Sequence, residues 1–184
     1  MTDAVADPLP PARTFATRAD LLARLEALGI TTWTYDHEPI FTVGQGAQMK
    51  RQWPGGHSKN LFLKDKKGTL VLLCAKDDTD IPLKHLHKGL GTGRLSFAAP
   101  DLMEDVLGVT PGSVTAFALI NAAPGRLAHI LFDAALMACD PVHFHPLQNT
   151  ATTAIAPADL MRFARACGHA PVIQDFTALS GGEI

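Results

Sequence analysis

The segment 59–75, KNLFLKDKKGTLVLLCA, constrains the fold more than any other stretch of the chain. Two apolar runs, Leu61–Leu63 and Leu70–Leu73, flank a polar turn closed by Gly68, and this arrangement predicts a β-hairpin. Other elements are arranged around it. Thr17 with Asp20 three residues on reads as a helix start, Leu21, Leu22, Leu25 and Leu28 give that helix one apolar face, and Gly29 offers the stop. ITTWTYDH is rich in β-branched and aromatic residues and reads as a strand. Residues 42–52 read as a short helix ended by Pro54-Gly55-Gly56. Residues 81–90 and Asp101–Leu107 read as helices, and GTGRLSFA as a turn entering a short strand. SVTAFALIN reads as a buried strand, LAHILFD, PVHFHP and TATTAIA as further strands, and Ala158–Cys167 as a last helix opened by Pro157. Strands and helices mix without a steady βαβ rhythm. The expected class is therefore α+β, with a mixed or mostly antiparallel central sheet flanked by helices.

A length of 184 residues suits one domain. Residues 1–15, rich in Pro and Ala, are expected to form a flexible arm, and 16–184 the single domain. No apolar run approaches the roughly 20 residues a bilayer crossing requires, and the first residues lack the basic end and apolar stretch of a signal peptide. A cytoplasmic protein without a membrane partner is expected. Cys74, Cys139 and Cys167 form no CxxC pair and read as small buried apolar residues.

Charge is unevenly placed. The chain carries a net −2, yet residues 50–94 hold ten of its sixteen Lys and Arg and four of its eighteen acids, a local +6 against −8 elsewhere. Such a stretch fits either a phosphate backbone or a solvated surface.

Three places could carry chemistry. His57-Ser58-Lys59-Asn60 stands before the hairpin's first strand, where a fixed lysine could hold a phosphate or polarise a carbonyl. Pro111-Gly112-Ser113-Val114-Thr115 could present backbone N–H groups and hydroxyls to a substrate oxygen. In PVHFHP, His143 and His145 would share a strand face, but zinc needs a third ligand and none lies at a recognised spacing. One of these histidines is expected to be buried, with Asn149 hydrogen-bonding the loop. GxSxG, GxxxxGK[ST] and HExxH are absent, and GLGTGR does not lie between a strand and a helix.

Taken together, SKNLFLKD (58–65), GRLSFA (93–98), LGVTPGSVTAFALIN (107–121), FHPLQNTATTAI (144–155) and LMRFARACGHAP (160–171) resemble the bacterial prolyl-tRNA editing family. This is the YbaK-like domain found inserted in prolyl-tRNA synthetase or as a separate protein. The match runs from about residue 15 to 176, and its form resembles the stand-alone branch that clears alanine from proline tRNA.

The resemblance implies a hydrolase of mischarged aminoacyl-tRNA that needs no cofactor or metal. Its partners would be alanine-charged proline tRNA and, transiently, prolyl-tRNA synthetase, with no role for DNA. It puts the family's essential lysine at Lys59, near the terminal phosphate or the ester, with Asn60 beside it. Gly112 would lie against the ester, Ser113 and Thr115 would border the pocket, His145 would line it, and Arg94 would read the acceptor end. Ala116 departs from the proline that relatives often carry. Rival readings are the same fold acting on cysteine or serine, a non-catalytic tRNA-binding module, or a small-molecule hydrolase using His143 or His145.

Overall fold

The computed structural model describes residues 14–39 and 52–176. The arm expected at 1–15 and the helix expected at 42–52 therefore lie almost wholly outside the described residues.

The chain opens with α1 (Arg18–Ala27), started by a reciprocal cap. The Thr17 hydroxyl accepts from the Asp20 N–H, and the Asp20 carboxylate accepts from the Thr17 N–H at 2.8 Å. Leu21 and Leu25 bury one face of that helix in the apolar core. After β1 (Thr32–Asp36) comes the expected hairpin, β2 (Gly56–Lys64) and β3 (Leu70–Lys76), in register from Ser58 opposite Lys76 to Lys64 opposite Leu70. Its turn is built around the Asp65 carboxylate, which accepts from the N–H groups of Lys67 and Thr69 at 2.8 and 2.9 Å. Then follow α2 (Leu83–Leu90), β4 (Ser96–Phe97), α3 (Pro100–Leu107) and β5 (His129–Asp133). The short α4 (Ala134–Met137), β6 (Val142–Phe144), β7 (Ala151–Ile155), α5 (Pro157–Ala166) and β8 (Val172–Gln174) complete the fold.

Among the described residues the strands form one mixed sheet in the order β1-β7-β6-β2-β3-β5-β8, with β4 on β2. The β1–β7, β6–β7, β2–β3 and β2–β4 pairs are antiparallel; β2–β6, β3–β5 and β5–β8 are parallel. Strand β3 shows how the core is divided. Leu70, Leu72 and Cys74 enter a large apolar layer with Phe117, Phe132 and Phe163, while Val71, Leu73 and Ala75 enter a second with Leu63, Leu86 and Phe176. Alternation along a pleated strand requires this split. Each Leu, Val or Phe so buried contributes roughly 1.5–3 kcal/mol.

Two sequence expectations change. SVTAFALIN is not a strand, because Ala116–Ile120 winds into a 3₁₀ helix whose start is capped by the Thr115 hydroxyl accepting from Phe117 N–H at 3.2 Å. A short apolar run fits either form, and here the cap decides. Of the cysteines only Cys74 is fully buried, its thiol pushed up by desolvation; Cys139 and Cys167 are half-buried.

Candidate functional site

Strand β2 changes neighbours partway along, and the candidate site lies where it does. Its outer edge pairs with β6 at Gly56 and His57 and with β4 at Leu63 and Lys64. Between these points no described strand covers residues 58–62. The interval contains Lys59 and Asn60, whose side chains leave opposite faces of the strand: Lys59 shares a face with His57 and Leu61, Asn60 with Ser58 and Phe62.

Lys59 is held by backbone rather than by an acid. Its Nζ donates to the Thr79 carbonyl. Thr79 is fixed in turn, its hydroxyl donating to the buried Asp133 carboxylate at 2.5 Å. Asp133 also accepts from Lys76 N–H at 3.0 Å and caps α4 through Ala135 N–H at 3.1 Å. Among the described residues the ammonium meets a carbonyl and no carboxylate, which suits an anion or a polarised ester oxygen. Sequence reasoning missed Thr79 and Asp133. Asp133 before Ala134-Ala135 does carry a readable signal, that of a helix N-cap.

On the other face, Ser58 donates to the His143 carbonyl at 2.8 Å and accepts from Asn60 Nδ2 at 3.1 Å. Asn60 Oδ1 is buried and has no hydrogen-bond partner among the described residues. An orphaned acceptor is costly and suits a donor brought by a ligand.

The two histidines expected to share a face have different neighbours. His143 lies in β6, is buried, stacks on His57 at 4.5 Å and meets the Pro54 carbonyl through Nε2 at 3.1 Å. A Cβ at Gly55, whose φ is +130°, would fall on the Pro141 carbonyl and against this ring, so only glycine fits. His145 stands just past the strand end, where Nδ1 meets the Ala151 carbonyl at 2.9 Å and the ring faces His37 at 6.2 Å. Desolvation is the main force holding both imidazoles below the usual histidine range. No group of three or more His, Cys, Asp or Glu among the described residues is arranged to hold a metal ion.

The glycine turn lies beside the histidine loop: a Cβ at Gly112 would stand 3.8 Å from Asn149 Nδ2 and touch little else. Gly112 has φ +88°, and Ser113 N–H closes the turn on the Thr110 carbonyl at 3.0 Å. Ser113 and Thr115 are both buried, Thr115 fully, and the Thr115 hydroxyl is engaged in the 3₁₀ cap. Gly112 and Asn149 are thus neighbours, whereas Thr115 is part of the core.

Arg94 lies in a different place. With Lys84, His85, His87 and Lys88 it lines a cleft of about 570 Å³ beside α2. Its turn is pinned to the hairpin, because Asp65 Oδ2 accepts the Gly93 N–H at 2.9 Å. That bond leads the backbone N–H groups holding the Asp65 carboxyl below its ordinary range.

Residues 37–163 match the family described as aminoacyl-tRNA editing domain. The mouse prolyl-tRNA synthetase associated domain-containing protein 1 is 38% identical over 163 residues, covering 86% of this chain and 96% of that one. The prolyl-tRNA editing protein ProX of Acetoanaerobium sticklandii is 31% identical over 150 residues, covering 81% of this chain and 91% of its own. A solved structure described as a candidate trans-editing enzyme for prolyl tRNA synthetase superposes with a TM-score of 0.67 at 19% identity, over 88% of this chain and 98% of that one.

Proposed function

The chain belongs to the aminoacyl-tRNA editing domain family, and on that premise we propose that it hydrolyses alanine from mischarged proline tRNA and spares prolyl-tRNA. The observation that carries the reading is Lys59, presented from β2 where no described strand covers the edge, its ammonium resting on a carbonyl. On substrate binding, Nζ leaves the Thr79 carbonyl for the terminal phosphate or the ester oxygen and stabilises the charge that develops there.

The substrate is an activated ester, so an oriented water suffices as nucleophile and no covalent intermediate is required. Attack forms the bond from water to the carbonyl carbon, and collapse breaks the ester bond and expels the ribose oxygen, which takes up the proton that the water gives up. Asn60 Oδ1 is the acceptor available to the ribose hydroxyl or to the aminoacyl ammonium. Gly112, with no side chain and an exposed surface, lets the ester approach beside Asn149. Selection is by size: alanine fits and the larger proline ring does not, and exclusion can discriminate more than the roughly 1–3 kcal/mol that one methylene adds to binding. The basic cleft around Arg94 holds the acceptor end by its phosphates.

Single-turnover deacylation of proline tRNA charged with alanine, serine, cysteine or proline tests the reading. Alanine is expected to leave fastest and proline to remain. Faster release of serine or cysteine would reassign the substrate, and release of none would leave a tRNA-binding module.

A further inference from the structure

The face of the sheet that carries Lys59 also carries a group of rings that the reaction does not use. Register fixes their placement. His57 pairs with His143, His143 with Ala154, Ala154 with Trp33, and Thr152 with Tyr35. Paired residues share a face, so Trp33, Tyr35, His143, His57 and Lys59 all project to the same side. Beyond the strands, Trp53 lays its ring on Tyr35, with centroids 4.4 Å apart and planes 18° from parallel, and His37 stands 6.1 Å from Trp53. Strand β1 is the outer edge of the sheet, and there Trp33 is 58% exposed and Tyr35 36% exposed.

We propose that Trp33, Tyr35 and Trp53 form a stacking platform for the unpaired bases at the 3′ end of an RNA, leading from the sheet edge toward Lys59. Flat rings on one face bind successive bases without regard to sequence, because every base has a π-face. A lysine on the same face supplies the phosphate contact that such grooves add. An aliphatic peptide groove would need exposed Leu, Ile or Val here, whereas the alternate residues of β1 are threonines, Thr34 bonding Thr153 at 2.8 Å on the opposite face. The inference deepens the editing reading and rests on it for the identity of the RNA.

The chain has two tryptophans, and both belong to the platform, so intrinsic fluorescence reports on it alone. The full chain is titrated with a short single-stranded RNA ending in CCA, uncharged, and with the same RNA in a blunt duplex. The single strand is expected to quench the tryptophans and the duplex not. Trp33→Ala and Tyr35→Ala are expected to weaken single-strand binding roughly five- to hundredfold per lost stack, and Tyr35→Phe, which keeps the ring, to bind as the native chain does. Trp33 is exposed enough that its loss leaves the fold intact, which circular dichroism checks. Unchanged affinity in both alanine variants would overturn the platform, as would a dimer that Trp33→Ala dissolves, since the face would then belong to a second copy. Active deacylation without quenching would sink the platform and leave the editing reading standing. Quenching in a chain that deacylates no aminoacyl-tRNA would do the reverse.

Discussion

Along β3 and β5 the side chains of both faces vanish into apolar layers, whereas along β6 only one face does, and in β1 Trp33 and Tyr35 stand exposed. Leu72 and Leu73 alternate into the two layers of the first half. In the second half Val142 and Phe144 enter the large layer while His143, between them, turns to His57. The two halves do different jobs. Burial on both faces fixes the register of the hairpin, since a slip of one residue would invert every side chain. The hairpin then delivers Lys59 at a fixed place to the half whose other face is imidazole, indole and phenol.

If that division is right, substitutions in the two halves should differ in kind. Leu72→Ala empties a fully buried site and is expected to cost about 2–5 kcal/mol in urea unfolding, while Trp33→Ala, mostly exposed, is expected to stay within about 0.5 kcal/mol. Equal losses would erase the distinction.

Gly112→Ala probes the functional half more finely. Space is available, so the penalty comes from φ +88° and from the surface offered to the ester. About 1 kcal/mol of stability should go, with at least roughly tenfold in deacylation rate and little in tRNA affinity. A folded Gly112→Ala chain that deacylates at the native rate would move the ester away from this turn.

Acid should act through the imidazole half. His143 and His145 are held neutral chiefly by burial, below the ordinary value of 6.5. The unfolded chain therefore binds more protons as pH falls below about 6.5, and stability declines from there downward, with no contribution lost above it. Urea midpoints at about pH 7.5 and 5.5 measure the slope, and His143→Gln should flatten it; an unchanged slope would place the acid sensitivity elsewhere.

The smallest effect is expected at the cleft. Arg94→Ala should lower the salt dependence of tRNA binding by about one phosphate contact, and Arg126→Ala, also exposed but outside that cleft, should not.

Much of this was legible in the sequence, and the failures have physical causes. The hairpin, the Thr17 cap and the strand over PVHFHP follow from local pattern, because turn chemistry and alternation act over a few residues. SVTAFALIN failed because a run of buried apolar residues carries no period, and a single hydroxyl, that of Thr115, chose the helix. Lys59 was legible as a candidate, but the carbonyl it rests on was not. Thr79 and Asp133 are 20 and 54 residues apart from their respective partners in the chain, and only the assembled sheet brings them together. The stack of Tyr35 on Trp53 was hidden for the same reason.

In the proposed reaction the ammonium of Lys59 performs the chemistry while the apolar half of the sheet holds it in place. Single-turnover hydrolysis of alanine-charged proline tRNA by Lys59→Ala, beside urea unfolding of the same preparation, tests both parts. A rate lower by roughly 10²–10³-fold with the unfolding midpoint unchanged is the predicted result. Native-rate hydrolysis by a folded Lys59→Ala chain would contradict it.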